Sequence, residues 1–209
     1  MAYGFLDILT TPSIRAAQAA MGSDRLYGDF KGHREFDRLT GDVVRFIAER
    51  DTFFMASVGE SGWPYVQHRG GPPGFLKVLD ETTLAFADYR GNRQYVSVGN
   101  LSADDKVALI LVDYARSARL KILAHAEIVP LGADPELERA VSEPDYKAVP
   151  ERIIRLKLAA FDWNCPQHIT PRFTRAEVAE SVGNLRERYA ALEQENARLR
   201  AQLESRQGE

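Results

Sequence analysis

WPYVQHRGGPPGFLKVLDETTLAFADYRGNRQ, residues 63–94, reads as two β-hairpins that bring basic and amide side chains to strand ends and turns. Trp63 to His68 is a strand, Gly70-Gly71-Pro72-Pro73-Gly74 interrupts it, and Phe75 to Leu79 resumes. Asp80-Glu81 turns the chain into a further strand, Thr83 to Ala87. His68, Arg69, Arg90, Asn92 and Arg93 stand at the ends and turns of these strands. A guanidinium presents a planar fork of donors, and turn N–H groups converge on an anion. The layout suits a phosphate-bearing ligand without the lysine-tethered glycine loop of a nucleotide-hydrolysing site.

Outward from this stretch, Phe53 to Val58 is a buried strand ahead of the Glu60-Ser61-Gly62 turn. A helix follows Thr40, with Val43, Val44, Phe46 and Ile47 on one stripe and an end near Arg50. An earlier helix spans residues 12–21, with Pro12 in its first turn, Ser13 as cap, and Ile14, Ala17 and Met21 on one face. On the other side, a short helix runs from Gln94 to Asn100 and Val107 to Val112 is a continuous apolar strand of the mid-sheet kind. Leu120 to Val129 is another strand, residues 134–149 read as an acidic helix, and Ile153 to Ala160 closes the series. Six or seven strands joined mainly by short turns imply a mainly β fold, an antiparallel barrel with flanking helices.

The chain has 209 residues, 44% hydrophobic, enough for one substantial core. With 27 basic against 30 acidic residues, net −3, no global field recruits nucleic acid or an anionic membrane. Cys165 is the only cysteine, which excludes an internal disulfide framework, and it reads as a small buried apolar residue. His33 and His125 have no ligand-spaced partner, so no metal site is expected. The first 22 residues lack a basic start and a continuous apolar run, and no stretch approaches the ~18 apolar residues of a membrane span. A cytoplasmic protein is expected.

Toward the C-terminus, Val178, Val182, Leu185, Tyr189, Leu192, Asn196, Leu199 and Leu203 alternate four- and three-residue spacings. This is a heptad seam with Val182, Tyr189, Asn196 and Leu203 at a, and Val178, Leu185, Leu192 and Leu199 at d. A lone Asn at a favours a parallel, in-register pair, and Arg188/Glu193 and Glu195/Arg200 place opposite charges across it. An amphipathic helix lying on its own barrel is the alternative. Arg172 and Arg175 do not make the basic region of a DNA-reading zipper. The expected organisation is an N-terminal helix and loop over 1–39, a split barrel over 40–172, and a coiled-coil helix over 173–209.

The segments HRGGPPGF, DYRGNRQY and DWNCPQHI, in this order, resemble the pyridoxamine 5′-phosphate oxidase-like family, in its branch of flavin-nucleotide-binding proteins. The resemblance covers about residues 40–170. It implies an FMN-binding split barrel that dimerises with flavin at interface sites. It also implies an FMN-dependent oxidoreductase passing a hydride to or from a small organic substrate, with NAD(P)H as a candidate donor. On that basis Gln67, His68, Arg69 and Gly70 lie against the flavin, Ala87 and Asp88 pass beside it, and Asn92, Arg93 and Gln94 hold the phosphate. Arg119 occupies the place of a ring-contacting glutamine, with Lys121 two residues on and on the same face, and Trp163 matches a tryptophan sent to the partner's flavin, with Gln167 nearby.

Two departures accompany the resemblance. Gln94 replaces the family's phosphate lysine, leaving Arg90 or Lys121 to compensate. Asn164 to His168 replaces the run that grips pyridoxine phosphate, so that substrate is not expected. Read without the family, Asn92 and Arg93 fit a helix-capping turn, and the glycines at 70–74 a surface loop. Trp163 suits a core or interface aromatic, and Tyr89 a strand-end anchor. The competing readings are the same barrel with deazaflavin F420 or haem, and a non-catalytic flavin-binding or assembly protein.

Overall fold

The computed structural model describes residues 4–26 and 38–207, with the side chains of Asn184 and residues 204–207 outside the description. His33, expected to stand alone, lies outside the described residues, as does part of the loop after the first helices. The chain forms two compact units, one of residues 1–113 and 117–168, the other of residues 114–116 and 169–209.

The first unit holds a seven-stranded antiparallel sheet in the order β2-β1-β5-β6-β7-β4-β3. Its strands are β1 (Thr52–Val58), β2 (Pro64–Gly70), β3 (Lys77–Asp80), β4 (Thr83–Tyr89), β5 (Lys106–Asp113), β6 (Ala118–Pro130) and β7 (Pro150–Asn164). The expected split barrel is present. In β1 and β5 residues alternate between core and exterior: Phe53, Met55, Leu109 and Leu111 point inward while Phe54, Ala56, Ala108 and Ile110 point out. β4 is buried at six successive positions, Thr83 to Asp88. One face meets the main core, and the other lies under the short helix α5 (Pro135–Val141), where Ala85, Ala87, Leu137 and Val141 make a second, smaller core.

Helix α3 (Gly41–Ala48) plugs the barrel with Val43, Phe46 and Ile47, the expected stripe. The early helix is α2 (Pro12–Ala20), but its cap is Thr11, whose hydroxyl accepts from Ile14 N–H, rather than Ser13. Its apolar face is exposed, and a short α1 (Phe5–Leu9), not expected from the sequence, precedes it and buries Phe5. The helix read over 134–149 ends at Val141, because its Asp134 cap and Pro135 start a helix that Ser142 and Pro144 do not continue. The helix expected from Gln94 is α4 (Val96–Ala103). Asn92 does not cap it. Its side-chain oxygen accepts from Gln94 N–H at 3.1 Å in a local turn, and Tyr95 takes the cap position with left-handed backbone, φ 52°.

In the second unit, α6 (Arg175–Gln207) is one continuous helix. Thr174 and Glu177 begin it with a capping box: Thr174 Oγ1 accepts from Glu177 N–H at 3.2 Å, and Glu177 Oε2 accepts from Thr174 N–H at 2.7 Å.

Candidate flavin site

The strands on either side of the barrel's opening meet at one ion pair. Arg69 on β2 donates through Nη1 to Asp88 Oδ1 on β4, with both side chains nearly buried. Arg152 on β7 approaches the other oxygen of Asp88 at 3.4 Å. Asp88 therefore sits between two guanidinium groups, which offset the cost of burying its carboxylate. The Arg69 guanidinium also lies 5.9 Å from the centre of the Phe86 ring. Its Nε is buried with no hydrogen-bond partner among the described residues, an unused donor in the groove.

A groove runs from this pair to the Gly91–Tyr95 turn, in two adjoining cavities of about 40 and 170 Å³. Gln67, Arg69, Asp88, Tyr89 and Gly91 line both. The smaller one extends to Asn92, Arg93 and the first turn of α4, and the larger to Gly70 and Ala87. Arg93 takes a left-handed φ of 62°, as does Tyr95, so two non-glycine residues hold uncommon backbone at one turn. Arg93 is exposed, and a hydrogen bond to Tyr95 raises its pKa above the ordinary arginine value. No side chain caps α4, which leaves its first N–H groups facing the turn. Ser97 in that turn is buried, and its hydroxyl donates to Gln67 Oε1 at 2.9 Å.

Below the turn, Glu151 at the start of β7 accepts from Arg90 Nε at 2.9 Å, Tyr95 Oη at 3.2 Å and Arg152 Nη2 at 3.1 Å. The bond from Arg90, followed by that from Tyr95, holds the Glu151 carboxyl below its ordinary pKa. The Arg152 guanidinium in turn stacks over Tyr95, 4.9 Å from the ring centre. Arg90 thus braces the loop through Glu151. Tyr89 is an anchor, edge-on to Tyr146 at 5.1 Å; its buried hydroxyl has no partner, and burial raises its pKa.

Of the remaining expected residues, only His68 borders the groove, at its larger cavity. His68 points to the opposite face of β2 from Arg69, where it bonds to Thr52 Oγ1 and packs edge-on against Phe54 at 5.5 Å. Lys121 is on the outward face of β6, ion-paired with Asp162 at 2.8 Å and 4.6 Å from the Phe5 ring centre. Arg119 shares that face by strand alternation, and its buried Nε has no hydrogen-bond partner. Trp163 packs edge-on to Phe46 at 4.9 Å and is 39% exposed. Gln167 is exposed beyond β7. None of Arg119, Lys121, Trp163 and Gln167 lines the groove.

Other expectations need revision. Cys165 is exposed rather than buried, because β7 ends at Asn164 and leaves it in the following turn. Gly71 and Gly74 serve internal packing: an added Cβ would meet the Phe75 ring at 2.6 Å and the Ala48 carbonyl at 2.9 Å. His125 is not alone, since Asp105 pairs with its Nδ1 at 3.0 Å. That pair borders a cavity of about 720 Å³ beside α5, lined by Arg155, Glu127 and Asp134, which bind one another. Among the described residues no cluster of three metal-ligating side chains occurs, and no helix is long and apolar enough to cross a membrane.

The family model described as pyridoxamine 5′-phosphate oxidase matches residues 39–161, more than half of the chain. The chain belongs to that family. The matched span takes in α3 and all of β1 to β6, together with the groove, and ends within β7, before Trp163 and α6. Among solved structures, a candidate pyridoxamine 5′-phosphate oxidase from Lactobacillus delbrueckii is similar at 20% identity, over 61% of this chain and 96% of that one, with a TM-score of 0.47. An FMN-binding protein from Syntrophomonas wolfei shows 14% identity over 73% and 95%, with a TM-score of 0.42. The haem storage protein HutZ from Vibrio cholerae shows 16% over 60% and 94%, with a TM-score of 0.40. No curated protein matches the chain.

The residues that sequence reasoning missed are Ser97, Tyr95, Glu151 and Arg152. Nothing in the sequence placed Glu151 and Arg152 beneath the Arg93 turn, since they come from the far end of the chain.

Proposed function

We propose that the protein is an FMN-dependent oxidoreductase acting on a small organic substrate. The observation that carries this reading is the Arg69 Nε, buried and unpartnered in a groove whose other end is an exposed arginine at an uncapped helix start. Family membership supports the same cofactor. Bound FMN would supply the chemistry, a two-electron transfer by hydride.

The chain's own residues divide the work of binding. Arg93 and the first N–H groups of α4 would receive the phosphate, with charge-assisted hydrogen bonds and the positive end of the helix. Asp88 and Arg152 lock the Arg69 guanidinium in place, so its free Nε is preorganised toward the flat ring system, where it would favour added negative charge. Substrate would enter on the open side of the ring. The Asn164–His168 segment lacks arginine, so a second phosphate on the substrate has no evident receptor there.

One protomer supplies half of such a site. Cavities of 40 and 170 Å³ are below the ~300 Å³ at which small-molecule pockets begin. A second copy would complete the site by presenting its own outward-facing His68, Arg119 and Lys121, together with the exposed edge of Trp163. This is a homodimer with flavin between the chains.

The test is the absorbance spectrum of freshly purified protein beside that of Arg93→Ala. Flavin bands in the wild type that weaken in the variant support the reading. A colourless wild type that takes up no added FMN removes it, and a haem or deazaflavin spectrum replaces the cofactor.

A further inference from the structure

The match to the family model ends at residue 161, well before α6. With 33 residues this helix extends about 50 Å at 1.5 Å per residue. Its seam residues are open to solvent, Leu185 at 66%, Leu192 at 68% and Leu203 at 58%. A row of leucines in this state on one face of a long helix calls for a partner surface.

We infer that α6 pairs with α6 of a second copy of this chain, parallel and in register. The occupant follows from three features of the helix itself. The seam repeats every seven residues without interruption from Val178 to Leu203, the period of a two-helix supercoil rather than of a helix lying on a sheet. The flanks are self-complementary, Arg188 facing Glu193 and Glu195 facing Arg200 of the other copy.

Asn196 sets the direction. Charge alone accepts an antiparallel pair over the same seam, because Arg188 would then meet Glu195 and Arg186 would meet Glu193. In that arrangement Asn196 lies against Leu185 of the other helix, and a buried amide is left without a partner. In the parallel arrangement the two Asn196 side chains face each other and bond across the seam. Any slip by a heptad also separates them, so the same residue sets the register.

Cross-linking of the full-length chain tests this without reference to what the barrel binds. In a Cys165→Ser background, Leu199→Cys or Leu185→Cys is added singly, with Gln194→Cys on the opposite face as control, and the protein is mildly oxidised. Parallel pairing predicts that each seam variant shifts from 23.4 kDa to twice that mass on a non-reducing gel, while Gln194→Cys does so far more slowly. An antiparallel pair leaves both seam variants single but links Leu199→Cys to Val182→Cys on mixing, which overturns the parallel inference. No cross-link at either seam position and none between Leu199→Cys and Val182→Cys on mixing, or equal cross-linking at Gln194→Cys, overturns self-pairing altogether.

Discussion

Arg69 and Asp88 belong to strands five places apart in the sheet, yet their side chains form an ion pair shielded from solvent. β2 is an edge strand and β4 lies next to the other edge, so this contact spans the opening of the barrel. The same pair forms the floor of the groove. Closing the sheet and holding the unpaired Arg69 Nε in place are therefore tasks of one interaction.

Asp88 holds two guanidinium groups and Arg69 holds one carboxylate, so the two single substitutions should differ. Asp88→Asn leaves Arg69 and Arg152 close together without their shared counter-charge and is expected to cost about 3–5 kcal/mol. Arg69→Met leaves Asp88 paired with Arg152 and is expected to cost less, about 1–3 kcal/mol. Urea unfolding of the flavin-free variants measures both. Equal losses would show that Arg152 contributes nothing to Asp88.

Removing Arg93 should weaken FMN by about ten- to a hundredfold, the loss of one charge-assisted contact worth ~1.5–3 kcal/mol. Riboflavin has no phosphate, so its affinity should be unchanged by Arg93→Ala. Fluorescence titration with each ligand distinguishes a phosphate contact from a general collapse of the turn, which would weaken both.

The brace at Glu151 has a pH signature. Its pKa is lowered in the folded state by Arg90 and Tyr95, so its contribution is fully present above the ordinary glutamate value of 4.5 and is lost as pH falls through the lowered one. Thermal unfolding of wild type and Glu151→Gln should differ by a constant amount above about pH 5 and converge on further acidification. A gap that persists unchanged in acid would assign the effect to packing.

Gly74 has φ +78°, and an added Cβ would approach the Ala48 carbonyl oxygen to 2.9 Å. Gly74→Ala is expected to cost at least about 1–2 kcal/mol from backbone strain alone, lowering Tm by roughly 3–6 °C in a chain of this size. Gly91→Ala, with open space around it and no positive φ, is the matched control and should change Tm little.

For Tyr89, deleting the hydroxyl should be harmless or stabilising by up to about 1 kcal/mol, because it is buried without a partner. Tyr89→Phe that unfolds earlier than wild type would reveal a bond supplied by water or a second chain.

Periodicity determined much of this protein by itself. Alternation in β1 and β5, the apolar stripe of α3 and the heptads of α6 are local patterns, and a local pattern specifies an element because each side chain's direction repeats with the backbone. The Arg93 turn was legible for the same reason: glycine, asparagine and arginine between a strand and a helix restrict the chain there. Contacts between distant segments were not legible. Arg152 comes from β7, 64 positions after Asp88, and the sequence holds no mark that the two share an ion pair. Likewise, His68 and Arg69 are neighbours that read alike, but the pleat of β2 turns one side chain to Thr52 and the other to Asp88. Sequence determined which groups the chain could offer to an anion. Only the closing of the sheet decided which of them face one another, because burial and the partner across the opening, not residue type, determine what an arginine does.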